Sequence, residues 1–400
     1  MITFVDDIMG SGKSTAMINR FNESKDESFI YVTPFLDEVD RIVEACEFRA
    51  PMSFTSQSGA YISKGIAFQF MLKEEGSLAI THSLLKNLAL VDTDYSKYTL
   101  VLDEVMDLIS VYDGLSYADV KWLEREGYVA IDEETQMIVL NGEAELAPDK
   151  FKNELKYLDK NCLYLAENKV VILEIPLDIL YSFKDVIIMS YLVEGSVLFQ
   201  QLSKSADIEK WMVNSDMTGF VEWSEEAARA KAVKAFELIT LIEDDGKARN
   251  IIGRLNRECT WSVQGTVKLG EAGCKRVGKM LCNYFQSNKL LSDKVMVSSF
   301  GGSIKVPSYK KCHVAYNCRA TNDYVAKDFL VYLISKHQNP CLQYWIDNKH
   351  DIEVDDEKYS LDCLLQWVFR SGIRKGNEVT LVLPSLKMRK VLIKWGEGKL

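Results

Sequence analysis

Short, wholly apolar runs alternate with amphipathic stretches along the first part of the chain. Residues 2–5 (ITFV) form one such run, followed by a Gly/Ser-rich turn and then by apolar positions at Ala16, Met17 and Ile18. This is the pattern of a buried strand, a loop and a helix. Residues 29–33 form a second run, closed by Pro34 and followed by helical periodicity from Leu36; residues 79–81 form a third, with Ser83 expected to cap the next helix. Residues 98–109 (YTLVLDEVMDLI) give a fourth run that ends in two acids, and 185–192 (DVIIMSYL) returns to the same style, expected to close the sheet. Strands that are apolar throughout and alternate with helices indicate a parallel sheet covered on both faces, so the first domain is expected to be α/β.

The pattern changes in the middle. Residues 116–141 predict a helix and then a hairpin, and 162–176 a second hairpin, so that about 111–175 reads as a small α+β insertion, winged-helix-like. As a stabilising appendage or as a DNA contact it would look the same. An Ala- and Lys-rich helix is expected over 222–236, then a second α/β block with strands near 294–300, 313–316 and 378–383. The expected division is a first domain over 1–200 and a second over 201–400.

Composition narrows the class without changing this picture. The chain has 400 residues, 47% hydrophobic and 26% charged, with seven prolines and no apolar run long enough to span a bilayer. No charged-then-apolar leader is present, and the nine cysteines form no CxxC pair, so a cytoplasmic, reducing location is expected. Cys312, His313 and Cys318 fit no zinc spacing. A net charge of −10 argues against coating nucleic acid by charge alone, although 360–400 is locally basic.

Three stretches carry candidate chemistry. In DDIMGSGKST (6–15), small residues allow backbone N–H groups to turn onto phosphate oxygens, and a lysine and a hydroxyl open the helix. Gly10, Ser11, Gly12, Lys13, Ser14 and Thr15 are the candidate nucleotide contacts; Asp7 stands where the usual pattern has its first glycine. Asp103 and Glu104 follow an apolar strand, at the sheet edge where ligands bind in open α/β folds. There Asp103, with Ser14, suits Mg²⁺, and Glu104 suits activation of water; acids enriched at a helix start would read alike. Finally, QWVFRSGIR (366–374) reads as helix, placing Gln366, Arg370 and Arg374 on one face with Leu365, Val368 and Phe369 turned inward. Two guanidiniums on one stripe suit γ-phosphate oxygens, and equally a solvated face.

In this order the three stretches resemble motifs I, II and VI of superfamily 2 helicases, and the chain is similar to short helicase-like proteins encoded by bacteriophages. The C-terminal LLQWVFRSGIR and LVLPSLKMRKVLIKW carry the resemblance, together with YNCRATNDY (316–324) in the motif V position. It implies two RecA-like parallel-sheet domains in tandem, with ATP and Mg²⁺ as ligands, Lys13 on the phosphates, Glu104 activating water and Arg370 and Arg374 as arginine fingers beside Gln366. It also implies nucleic-acid contacts at Thr33 and Pro34, at Thr81 and His82, and at Arg319, Thr321 and Asn322. The second finger comes one residue later than in the common spacing, Phe369 replaces a glycine, and an upstream adenine-selecting glutamine is not expected. The implied activity is an NTP-driven motor on nucleic acid, DNA rather than RNA, serving phage replication or recombination beside other proteins of that process. A nucleotide-gated binding switch and a small-molecule kinase are the rivals.

Overall fold

The computed structural model of the chain describes residues 1–55, 61–91, 93–142, 147–167, 169–245, 250–318 and 323–400. The chain divides into two compact units, and the division is not a single cut near residue 200. The first unit comprises residues 1–5, 14–211 and 339–354; the second comprises 6–13, 212–338 and 355–400. The cut moves beyond 200 because Ile208–Val213 is a strand of the first sheet, paired in parallel with Ile2–Asp6.

That sheet runs in the spatial order Ile208–Val213, Ile2–Asp6, Phe183–Ser190, Tyr95–Asp103, Ser28–Thr33, Leu78–Thr81, with the short strand Phe220–Glu222 beyond the first of these. The expected apolar runs are its strands, buried on both faces as a parallel sheet requires. Phe183–Ser190 does not close the sheet. It lies between Ile2–Asp6 and Tyr95–Asp103, pairing in parallel with the latter from Asp185 opposite Thr99 to Met189 opposite Asp103. A central place suits its sequence, because Val186 to Met189 are at most 2% exposed and an edge strand could not bury them on both faces. The helix after Leu78–Thr81 starts at His82, and its cap is Thr81, whose side chain accepts from the N–H of Leu84, rather than Ser83.

The insertion contains the expected helix, Tyr117–Arg125 with a capping box at Ser116, and the hairpin Val129–Ile131 with Ile138–Leu140. Its second hairpin, Leu163–Leu165 with Val171–Glu174, becomes three-stranded by pairing with Ile109–Val111. Val120, Leu123, Val129, Ile138 and Leu158 join the same apolar core as Phe4, Val32 and Leu100. The helix Pro340–His350, far along the chain, also belongs to this unit: Leu342, Trp345 and Ile346 bury against Ile109, Ala166 and Ile172.

The second unit is a four-stranded parallel sheet in the order Ile239–Leu241, Val379–Val382, Phe329–Leu333, Val295–Ser299. Two expected strands are present, near 294–300 and 378–383. The third is not: His313 makes only an isolated bridge to Val297, and the strand that fills this layer is Phe329–Leu333, a buried apolar run. The helical stretch Val263–Ser287, broken by a kink at Gly270, covers the sheet through Val277, Leu281 and Phe285 of its second part.

Candidate functional site

The loop 6–13 leaves the end of Ile2–Asp6 and turns into the helix Lys13–Glu23. Gly10 and Gly12 adopt φ of 81° and 91°, a region open to glycine at no steric cost. A Cβ at Gly12 would stand 3.1 Å from the Met217 side chain, and one at Gly10 would stand 3.7 Å from Cγ of Arg374. The Lys13 ammonium folds over the turn and donates to the backbone carbonyls of Asp7 and Ile8. A loop that presents glycine N–H groups around a lysine at a helix start is the shape an anion needs.

Asp7, which departs from the common pattern, is buried and fully engaged. Its Oδ1 accepts from the N–H of Ile8 at 2.8 Å, and its Oδ2 accepts from the N–H of Val213 at 3.0 Å and from Nζ of Lys231 at 2.6 Å. The carboxylate therefore ties the root of the loop to the strand end at Val213 and to the helix Glu225–Phe236, where a glycine would leave those donors unsatisfied. Nothing in the Ala/Lys-rich stretch singles out Lys231 as that partner.

In the first unit, Asp103 ends its strand and Glu104 follows in a left-handed conformation, φ 78°, with its N–H donated to the carbonyl of Met189 at 2.9 Å. A glutamate pinned at positive φ stores strain that surrounding structure must hold. The buried Tyr31 hydroxyl donates to Oδ2 of Asp103 at 2.5 Å. Burial, and then the Asp103 charge, push the Tyr31 phenol well above its ordinary pKa, so it stays a donor across the working range. The signal in the sequence was a tyrosine inside an otherwise apolar strand, since a buried phenol needs a partner.

The arginine stripe is not one helix face. The helix Asp356–Val368 stops before Arg370; the Ser371 hydroxyl donates to the Val368 carbonyl at 2.6 Å, and the Gly372 N–H donates to Lys327 O at 2.8 Å. A Cβ on residue 372 would stand 3.2 Å from that same carbonyl oxygen, so any larger residue would crowd the turn. Arg370 lies buried in the turn, while Arg374 is exposed in the 3₁₀ turn Gly372–Lys375. The Gln366 amide donates within its own helix to Asp362 at 2.8 Å.

The proposed strand contacts separate similarly. Thr33 is completely buried, so its side chain presents nothing to a ligand; Pro34 is half-buried and Phe35 beyond it is exposed. Thr81 and His82 are half-buried, and Thr81 lines a groove of about 710 Å³ with Leu36, Lys64, Ser83, Asn153 and Lys156. Arg319, Thr321 and Asn322 lie outside the described residues. The basic C-terminal segment is largely committed internally: Lys387 to Asp356 at 2.5 Å, Lys394 to Glu357 at 2.7 Å, and Arg389 to the carbonyl of Ile242. All nine cysteines are free thiols, and among the described residues no group of His, Cys, Asp and Glu is arranged to hold a metal on its own.

Fold and loop together define a parallel-sheet α/β protein of two units, with a glycine-lysine loop leaving the first sheet. Residues 233–396 match the family described as the YonV C-terminal Rossmann-like domain. The chain is 29% identical over 418 residues to the SPbeta prophage-derived uncharacterized protein YonV of Bacillus subtilis (strain 168), covering 100% of this chain and 99% of that protein. Among solved structures it is similar to Xpd4 of S. tokodaii, with a TM-score of 0.46 and 10% sequence identity over 99% of this chain and 94% of that one. No helix among the described residues is long and apolar enough to cross a membrane.

Proposed function

We propose that the chain is an ATP-hydrolysing motor that acts on nucleic acid, a helicase or translocase, with DNA the expected strand and phage replication or recombination the expected setting. The observation that carries this reading is the 6–13 loop, in which two left-handed glycines and Lys13 open a helix at the end of a buried parallel strand. In this reading Gly10, Ser11, Gly12, Lys13, Ser14 and Thr15 receive the triphosphate. Asp103 and Ser14 suit Mg²⁺, because Asp103 ends its strand half-exposed and is oriented by Tyr31. Magnesium, when bound, would neutralise charge building on the β- and γ-phosphate oxygens.

Glu104 is the group for orienting and deprotonating water, held at the strand end by its N–H bond to Met189. Arg374, exposed and next to Gly10, is the better finger; Arg370, buried, supports the turn that presents it. The groove lined by Thr81 and Lys64 takes the strand, with Pro34 and Phe35 at the same sheet edge. Its mixed lining favours backbone and base-face contacts over sequence readout.

The test is ATP turnover with and without single-stranded and duplex DNA and RNA, run beside Lys13→Ala and Glu104→Gln. Turnover should rise with DNA and vanish in both variants, while Glu104→Gln still binds nucleotide. A protein whose turnover ignores every nucleic acid is not a motor, and DNA retention that depends on bound nucleotide would then favour the gated switch.

A further inference from the structure

A cleft of about 610 Å³ lies against the 6–13 loop within the second unit, bordered by Met9, Gly10, Met217, Val221 and Arg374. Met217 and Val221 are 48% and 47% exposed, apolar side chains that nothing in their own hairpin covers. Met217 is fixed in place. Its backbone has φ 60°, its N–H donates to Asn214 O at 3.2 Å, and the Asn214 side-chain oxygen gathers the N–H groups of Thr218 and Gly219 at 3.0 and 3.1 Å. A methionine held in the left-handed region is strained unless the surrounding turn over-determines it, and strain of that kind concentrates at ligand clamps. The two loop glycines mark two ends of the cleft, with the Arg374 side chain at Gly10 and the Met217 side chain at Gly12.

We propose that Met217 and Val221, with Met9, form the shelf that takes the nucleobase of a nucleoside triphosphate, the anionic tail running toward Gly10 and Arg374. This rests on the nucleotide reading given above and adds where the base goes and how it is read. Thioethers are polarisable and pack well on π-faces. Of the polar side chains at the border, Asn214 is engaged with Thr218 and Gly219 and Lys231 with Asp7, Ser11 and Arg374 belong to the loop and finger assigned to the phosphates, and the exposed Ser215 hydroxyl can both donate and accept, which favours no particular base. The shelf therefore grips the face of a base without reading its edge, and purine and pyrimidine triphosphates fit alike.

The experiment measures hydrolysis of ATP, GTP, CTP and UTP, and inhibition by inorganic tripolyphosphate, for the full chain and for Met217→Ala and Met217→Leu. Wild-type KM values should agree within about threefold across the four, and Met217→Ala should raise all of them about tenfold with kcat held within about twofold. Met217→Leu should restore KM, and tripolyphosphate inhibition should be the same in all three proteins. An unchanged KM in Met217→Ala, a wild-type preference for one base above about a hundredfold, or a parallel shift in tripolyphosphate inhibition overturns the shelf. A wild-type protein that turns over no triphosphate and binds no tripolyphosphate overturns the nucleotide reading itself, before any variant is made.

Discussion

Asp7 and Lys231, separated by 224 residues in sequence, form an ion pair of 2.6 Å at the root of the glycine-lysine loop. The carboxylate side of the pair is buried, and it also holds two backbone N–H groups. Replacing Asp7 by glycine, which would restore the common motif residue, should therefore destabilise the protein by about 3 kcal/mol, because three donors lose their acceptor. Lys231→Met should cost less, since Asp7 keeps both N–H partners. Urea unfolding of the two variants gives the ranking, and equal losses would mean the N–H bonds contribute little.

Glu104 carries the opposite trade. Its left-handed backbone, φ 78°, suits glycine better than glutamate. Glu104→Gly should unfold at a midpoint no lower than wild type, and up to about 1 kcal/mol higher in stability, while ATP turnover is lost. Thermal melts and a turnover assay on the same preparation read both effects.

The two arginines of the C-terminal turn should separate by readout. Arg374→Ala, at an exposed site next to Gly10, should leave the melting temperature within a degree or two of wild type (about 0.5 kcal/mol) and lower kcat by about 10³. Arg370→Ala, at a buried site, should instead lower stability by about 2 kcal/mol or more. The reverse pattern would exchange their roles.

Docking of the helix Pro340–His350 onto the insertion should be acid-sensitive. Burial of Glu174 would by itself raise its pKa, but the Lys349 ammonium, which donates to it at 2.9 Å, and the His350 ring 3.1 Å away outweigh burial and hold its carboxyl below the ordinary range. A folded pKa below the unfolded one contributes stability that is complete above the unfolded value and disappears as pH falls through the folded one. Glu174→Gln should thus cost about 1–2 kcal/mol near pH 7, and the difference from wild type should close below about pH 4. A difference that persists unchanged at low pH would show that packing of Trp345 and Ile346, not the ion pairs, holds the helix.

Much of this architecture could be read from apolar runs. Every strand of the first sheet that is buried on both faces announced itself as a continuous apolar stretch, and the helix and hairpins of the insertion followed from turn residues and period. Phe329–Leu333 is equally apolar, but residues 313–316 beside it are also strand-like in sequence and in the fold make only a bridge's worth of pairing. The arginine spacing differs for another reason: i, i+4 periodicity continues through Ser371 and Gly372 in the sequence, whereas in the fold the helix ends at Val368 and the Gly372 N–H is taken by the distant Lys327 carbonyl.

The sequence alone determined the apolar strands at the centre of the first sheet, the helices between them, and the loop with its lysine, because burial on two faces and φ beyond zero are local demands on residue type. The tertiary structure decided the position of Phe183–Ser190 in the sheet, the partner of Asp7, the Tyr31 donor on Asp103 and the membership of Pro340–His350 in the first unit. Each of those depends on which distant segments share a desolvated space, and the cost of leaving a buried charge, hydroxyl or apolar face without a partner is settled only when the chain has folded.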